Sequence, residues 1–353
     1  MDNELLLTLL IPCLNEEETI TDVVETAFRA GKKAKIKNFE ILVADNGSND
    51  GSVENVKKQK IARLIKVPVR GYGAALHWGI LHAKGKYVLF ADADLSYDFF
   101  EMSKFLRFIQ KNYDLVLGSR MKGSIENGAM PFLNRYIGTP FLTWLIRYMY
   151  RLKTTDCNSG MRLVRKDFYK SLHMRSSGME WASELLCKTA LNKGKYSEVP
   201  INFYKDQRSV PSHLIRWTDG WRHLKAILLL KPDYLFLLSL ILIIFSYFLL
   251  KELIVLSLYL FLLSISLFLS TIAAKLLNLV IIKRESKIMD FVIKISIVKI
   301  GILITITVAM LSVVPFFSLE IKLLFIGLVV VFDMWVFLIE TIKTHLVNPL
   351  PEP

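Results

Sequence analysis

The chain has 353 residues, 53% of them hydrophobic, a formal charge of +13 and three cysteines; it is long enough for one sizeable globular domain and carries more apolar sequence than such a domain uses. Cys13, Cys157 and Cys187 show neither CxxC nor His-rich spacing, so neither a zinc site nor a disulfide framework is suggested and they read as reduced packing residues. The positive charge calls for anionic partners, and without a nucleic-acid-binding signature, heptad seam or solenoid repeat it points to lipid headgroups and phosphorylated substrates, not nucleic acid.

In chain order, the first apolar stretch, 5–11, is of strand length and shows no secretory-leader features. Strand-like runs follow at 39–44, 63–67, 87–91 and 115–118, with helical patterns at 17–29, 52–59, 73–83 and 99–111 between them. That alternation predicts an α/β domain with a mostly parallel sheet, helices on both faces and a ligand site at the carboxyl ends of the strands. A further helix, 178–191, carries Glu180, Trp181 and Glu184 and is expected to pack beneath the acceptor site, with these residues in packing and capping roles. Segment 214–230 then interleaves Arg216, Arg222, His223 and Lys225 with Trp217, Trp221 and Leu224. Indoles and cations at helical spacing suit a helix lying in a membrane interface; an amphipathic helix packed on the soluble domain has the same pattern, and opposite faces of one helix can do each.

The composition changes near Lys231-Pro232. Apolar segments at 234–250, 253–274, 300–317 and 323–342 each approach the roughly 17 to 25 residues of a spanning helix. The loop after the second carries Lys283, Arg284, Lys287 and Lys294, so the positive-inside bias places it, the N-terminal domain and the C-terminus in the cytoplasm of a multi-pass plasma (inner) membrane protein. The expected divisions are a soluble domain over 1–213, an interfacial helix over 214–231, a four-helix membrane domain over 232–345 and a tail over 346–353. Asp333, deep in the fourth span, is expected to stabilise helix association, either protonated and hydrogen-bonded or paired with Lys275 or Lys299, with a role in lipid passage as the alternative.

Polar clusters close the strands. Pro12, Asn15, Glu16 and Glu17 follow the first, Asp45 to Asp50 the second, and Asp92-Ala93-Asp94 the fourth. Parallel strands bring these to one edge, and carboxylates gathered there suit a nucleotide and a metal ion. Gly71 and Gly73 form a turn before the third helix, as a diphosphate loop or a plain turn would.

The segments Ile11-Pro12-Cys13-Leu14-Asn15-Glu16-Glu17, Val43-Ala44-Asp45-Asn46-Gly47-Ser48, Gly71-Tyr72-Gly73-Ala74-Ala75-Leu76, Ala91-Asp92-Ala93-Asp94-Leu95-Ser96, Gly118-Ser119-Arg120 and Asp156-Cys157-Asn158-Ser159-Gly160-Met161 resemble, in order, the motifs of glycosyltransferase family 2. This is the GT-A, Rossmann-like group that includes dolichyl- and polyprenyl-phosphate sugar synthases. Two positions depart from the pattern: Asn46 stands where the family often has Asp, and Ser96 where lipid-phosphate mannosyltransferases often have Gln. The resemblance implies that Pro12, Leu14, Glu16, Val43 and Asp45 hold the nucleoside. It implies that Asp92, Ala93 and Asp94 serve the donor diphosphate through Mg2+ or Mn2+, with Ser96 a weak further ligand.

A hydroxyl acceptor needs a general base, whereas a polyprenyl phosphate is already an anion and needs cations, for which an arginine fork is well shaped. Arg120 and Arg135 match the family's acceptor-phosphate ligands by motif and spacing, and Lys205 and Arg208 match by region. Asp156 matches the base of sugar-polymerising relatives and would, in a lipid-phosphate enzyme, orient the acceptor or an arginine. The polymerase signature Gln-x-x-Arg-Trp lacks its Gln at His213-Leu214-Ile215-Arg216-Trp217. The implied activity is inverting, metal-dependent transfer from a UDP- or GDP-sugar to polyprenyl phosphate, yielding a polyprenyl-monophospho-sugar for cell-envelope glycan. The alternatives are transfer to a lipid or glycan hydroxyl, and a non-catalytic scaffold or translocator. The sugar, the base of the donor, the prenyl length and homo-oligomerisation stay open.

Overall fold

The computed structural model describes residues 7–36, 38–209 and 216–249, with 263, 264 and 268. The chain divides into two compact units at Leu230–Lys231.

In the first unit the predicted alternation appears as β1 (Leu7–Cys13), α1 (Ile20–Lys33), β2 (Phe39–Asp45), α2 (Ser52–Gln59), β3 (Arg63–Lys66), α3 (Tyr72–His82) and β4 (Tyr87–Phe90). A 3-10 turn (Phe99–Met102), α4 (Ser103–Gln110) and β5 (Leu115–Ser119) follow. A π-helical turn (Asn134–Gly138) leads into α5 (Thr139–Tyr150), and β6 (Arg162–Arg165), α6 (Lys166–Ser171), α7 (Trp181–Leu191), β7 (Tyr196–Pro200) and α8 (Arg216–Leu229) complete the unit. The seven-stranded sheet runs β3-β2-β1-β4-β6-β5-β7. Its first four strands are parallel, β6 is antiparallel to both β4 and β5, and β7 is parallel to β5.

β1 is buried along its whole length, as suits a strand covered by helices on both faces, and its unbroken apolar run follows from that position. Two helices differ from the expected bounds for polar reasons. α1 begins at Ile20 instead of 17 because Glu16 and Glu17 are drawn into the neighbouring loop: the Glu17 N–H donates to Asp50 Oδ2 at 3.1 Å and Glu17 Oε2 accepts from the Gly51 N–H at 2.7 Å. The expected helix 99–111 opens as a 3-10 turn, where Asp98 accepts from the Phe100 N–H at 2.8 Å.

α8 occupies most of the segment expected to lie in a membrane interface. Its inward face is packed in the soluble unit: Ala226 and Ile227 are buried, Tyr150 Oη donates to the Ile227 carbonyl, and His223 Nδ1 is 2.8 Å from Ser183 Oγ of α7. Trp221 and Arg222 are on the exposed side. Burial, and secondarily the Arg162 charge, pushes the His223 pKa down from 6.5 to about 4. The unfolded chain therefore binds more protons between those values, so the stabilisation is complete above the unfolded pKa and is lost as the pH falls through the folded one. Unfolding measured between pH 7 and pH 4 should show about 3 kcal/mol lost from this group, and His223→Gln should flatten that slope; an unchanged slope would mean that the imidazole is not buried neutral.

In the second unit, α9 (Asp233–Leu249) has 17 residues and realises the first apolar segment. Phe236, Leu237, Ile241, Ile244 and Phe245 are exposed along it. Among the described residues no single helix is long and apolar enough to cross a membrane. Apart from residues 263, 264 and 268, the other expected spans lie outside the described residues, as do their basic loop, Asp333, Lys275 and Lys299.

Candidate active site

The loops after β1, β2 and β4 leave the same edge of the sheet because those strands are parallel neighbours. The first two are stitched together. Asn15, at φ 55°, accepts the Asn49 N–H on Oδ1 at 2.9 Å, and the N–H groups of Asn15 and Glu16 donate to Ser48 Oγ (3.0 Å) and Ser52 Oγ (2.8 Å). Asp45 is buried and accepts the Ser48 N–H at 2.9 Å. Pro12 and Val43 are in the paired strands beneath, with Leu14 in the loop above them.

The departure at Asn46 has a structural cause. Its Oδ1 accepts from the Gly71 N–H at 2.7 Å while its Nδ2 donates to the Val69 carbonyl at 2.8 Å. A carboxylate could make only the first of these bonds. The Gly71 turn is in turn clamped from behind. Gly71 has φ 135° and a Cβ there would lie 2.1 Å from the Ser177 carbonyl oxygen, which accepts the Ala74 N–H at 3.0 Å. The segment before α7 is held by buried Glu184, which accepts the N–H groups of Ser176 (2.7 Å) and Arg175 (3.0 Å) and pairs with Lys188. Trp181 is fully buried and donates to Tyr169 Oη at 3.0 Å. The expected 178–191 helix thus supports this turn through packing residues.

The turn delivers Tyr72, whose hydroxyl donates to Asp92 Oδ1 at 2.8 Å, while Asp92 Oδ2 stands where a side chain on Gly160 would be, 2.4 Å from its absent Cβ. Burial, and then the neighbouring Asp94 charge, pushes the Asp92 carboxyl up to about 7. Asp94 Oδ1 accepts from the N–H (3.0 Å) and hydroxyl (2.5 Å) of Ser96. Ser96, expected as a metal ligand, thereby orients Asp94.

Arg208 joins this group. Its guanidinium donates to Glu16 Oε1 at 2.8 Å, to Asp94 Oδ2 at 3.3 Å and to Asp206 Oδ1 at 2.9 Å. The backbone of residues 204–207 runs along the β4 loop, with the Tyr204 N–H on the Ser96 carbonyl at 3.0 Å. Burial pushes the Glu16 carboxyl up to about 7, with the Arg208 charge opposing the rise and Asp94 adding to it. Lys205 is exposed and bonds Glu126 through its backbone N–H at 2.8 Å. Of the two cations placed by region, Arg208 therefore meets Glu16 and Asp94 and Lys205 does not.

The other predicted cations separate as well. Arg120 grips Asp156 with Nε to Oδ2 at 2.7 Å, Nη2 to Oδ1 at 2.8 Å and its backbone N–H to Oδ2 at 3.1 Å. Asp156 is 0% exposed and Arg120 7%. The guanidinium carbon also sits 5.0 Å from the Phe203 ring centre. Nearby, Tyr97 Oη accepts the Gly160 N–H at 2.7 Å. Arg135 lies on the π-helical turn, 5.4 Å from the Tyr136 ring. No hydrogen bond or ion pair among the described residues joins it to Arg120 or to the carboxylates.

Beside the Arg120 loop, a depression of about 300 Å³ is lined by Met121, Pro140, Thr143, Trp144, Arg147 and Thr155. Along this flank Phe132 (68%), Tyr136, Phe141, Trp144 (56%) and Tyr148 (61%) are exposed, with Phe132 on Tyr136 and Trp144 on both Phe141 and Tyr148 in ring contact. All three cysteines are free and buried; burial drives the Cys13 thiol to about 12.

Tyr72 and Asp206 were missed as site residues. Tyr72 stands in the quoted Gly-Tyr-Gly motif, where it reads as part of a turn, and Asp206 had no signal beyond its place in a charged loop.

The family model described as glycosyl transferase family 2 matches residues 8–172. The low-salt glycan biosynthesis hexosyltransferase Agl6 of Haloferax volcanii is 33% identical over 231 residues, 65% of this chain and 55% of that protein. The chain thus aligns with about half the length of that relative. An uncharacterized glycosyltransferase of Mycobacterium bovis is 31% identical over 222 residues, 61% of this chain and 96% of that protein. Among solved structures, the mannosyl-3-phosphoglycerate synthase of Rubrobacter xylanophilus superposes with a TM-score of 0.51 over 63% of this chain and 72% of that one, at 15% identity, a likeness of fold. Sheet order, motifs and relatives agree, and the chain belongs to glycosyl transferase family 2.

Proposed function

We propose that this glycosyltransferase moves a sugar from a UDP- or GDP-sugar to a polyprenyl phosphate at a membrane surface, with inversion at the anomeric carbon. The observation that carries the choice of acceptor is the state of Asp156. Both its oxygens are taken by Arg120 and it is wholly buried, so it serves the arginine and is not free to take a proton from a sugar hydroxyl. An anionic acceptor needs no such base. One phosphate oxygen attacks the anomeric carbon as the bond to the nucleoside diphosphate breaks, and the diphosphate leaves with the electron pair. Arg120, held rigid by Asp156, and Arg135, on its turn, orient the incoming phosphate.

The donor side fits a divalent cation. Among the described residues no group of three or more His, Cys, Asp or Glu is arranged to hold a metal, but Asp92 and Asp94 offer hard oxygens, and Mg2+ is commonly held by one or two carboxylates together with substrate phosphates. Mg2+ or Mn2+ bound there would supply positive charge to the departing diphosphate. Tyr72 and Ser96 keep the two carboxylates aimed. Arg208 bonds Glu16 and Asp94, and a diphosphate held at Asp94 would meet its positive charge, so Arg208→Ala should raise the Kd for UDP or GDP about tenfold or more and leave the acceptor KM within about twofold; calorimetry and acceptor kinetics check the split.

The lipid half of the acceptor is supported by the aromatic flank of α5. Exposed rings with Arg147, Arg151 and Lys153 alongside match a bilayer interface with anionic headgroups, and the depression at Trp144 leads from that flank to the Arg120 loop. Supplying UDP- and GDP-sugars with undecaprenyl phosphate, undecaprenol or a ceramide in liposomes tests the proposal. Transfer to the phosphate alone is expected; transfer to either alcohol, with none to the phosphate, overturns it.

A further inference from the structure

Glu198 is a charged residue on β7, the edge strand of the sheet, opposite Leu117 of β5. Its side chain is 2% exposed. Oε1 accepts from Thr154 Oγ1 at 2.8 Å, from the Thr155 N–H at 2.7 Å and from Tyr196 Oη at 2.7 Å. Oε2 accepts from Thr155 Oγ1 at 2.7 Å and lies 2.8 Å from Lys122 Nζ. The Thr155 hydroxyl is also 2.7 Å from Ser119 Oγ, which accepts the Lys122 N–H at 3.2 Å. An inward charge on an edge strand discourages strand pairing between molecules, but that purpose needs no such set of donors. Apart from Tyr196, which is on β7 itself, these donors come from two loops: Lys122 from the one that carries Arg120, and Thr154 and Thr155 from the one that carries Asp156.

We propose that Glu198 is a positioning residue for the acceptor half of the site: it fastens residues 119–122 to residues 154–155, so that Arg120 and Asp156 meet in one fixed geometry. This deepens the reading of Arg120 as an acceptor-phosphate ligand and rests on it for its catalytic consequence. The mechanical part stands on the hydrogen bonds alone. A buried carboxylate that accepts several neutral donors and one ammonium is a stiff junction, because the Thr154 and Thr155 donors beside it have no water to turn to, while the half-exposed Lys122 adds the charge. The Glu198 oxygens add a tie to the Ser119–Thr155 and Arg120–Asp156 bonds that join the same two loops.

The test uses the full chain, as Glu198→Ala and as Glu198→Gln, with hydrogen–deuterium exchange, UDP binding and acceptor kinetics. The alanine variant should exchange about tenfold faster in peptides covering both 119–123 and 153–157, with β1, β2 and β4 unchanged. Its acceptor KM should rise about tenfold while the UDP Kd stays put. Glutamine keeps a carbonyl oxygen for Thr154 and Thr155 but loses the charge that holds Lys122, so its exchange and KM should fall between wild type and alanine. If alanine does not fold, glutamine decides by the same two measures. Faster exchange throughout the sheet would make Glu198 a general stabiliser, and faster exchange in neither loop or in one alone would refute the junction; either result overturns the proposal, as does a UDP Kd that moves with the acceptor KM. Failure of the wild type to use polyprenyl phosphate would instead refute the proposed acceptor, and the exchange measurements would still decide the role of Glu198 in joining the loops.

Discussion

Asp94→Asn is expected to lower turnover by roughly a thousandfold with the fold intact. The amide keeps an oxygen for the Ser96 N–H and hydroxyl bonds made by Oδ1, so the β4 loop has no reason to move. It loses the anionic oxygen that faces Arg208 and that would hold a divalent cation. With Asp92 as the remaining carboxylate, the charge on the leaving diphosphate is poorly met. Chelation with EDTA should reproduce the loss in the wild type, and added Mg2+ or Mn2+ should reverse it. Undiminished turnover in the variant, together with a normal melting temperature, would remove Asp94 from the donor site.

Arg120→Lys should cost about a hundredfold in kcat/KM for the acceptor and leave nucleotide binding within about twofold. Lysine keeps the charge but replaces a planar fork by a point, so it cannot satisfy both oxygens of Asp156 and present a fixed edge to phosphate. Alanine is the less informative change, since it would leave Asp156 buried without its cation, a loss on the order of 3–5 kcal/mol. Removing both partners separates folding from function: Arg120→Met with Asp156→Leu replaces the pair by apolar side chains and should restore stability to within about 1–2 kcal/mol of wild type or better, yet still fail on the acceptor. Recovery of transfer in that double variant would show that the pair serves only the fold. Lost nucleotide binding in Arg120→Lys would place the arginine on the donor diphosphate instead.

The parallel half of the sheet was legible because buried strands there are nearly continuous apolar runs, such as Leu7–Cys13 and Phe39–Asp45. β6 and β7 were not, since Arg-Leu-Val-Arg and Tyr-Ser-Glu-Val-Pro show too little apolar sequence to stand out; they owe their state to the strands on either side. Motifs singled out Asp45, Asp92, Asp94, Arg120 and Asp156 as candidates because each sits in a short signature. Their partners lie far away in sequence. Tyr72 reaches Asp92 only through the clamped Gly71 turn, Glu198 reaches Thr155 from the edge strand, and Arg208 reaches Glu16 across 192 positions. Regional matching placed Arg208 with the acceptor cations, whereas the path of residues 204–208 along the β4 loop carries it to the carboxylates. The aromatic flank of α5 escaped notice for a different reason: an apolar residue on a helix reads as core until its exposure is known.

The central claim, that the acceptor is a lipid phosphate, is tested most directly by the linkage in the product. Undecaprenyl phosphate and the competent nucleotide sugar, incubated with the full chain in liposomes, should give a lipid whose 31P signal moves from phosphomonoester to phosphodiester and couples to the anomeric proton. Mild acid should then release the sugar. A glycosylated lipid in which the phosphate signal is unchanged and the sugar sits on a hydroxyl would contradict the account.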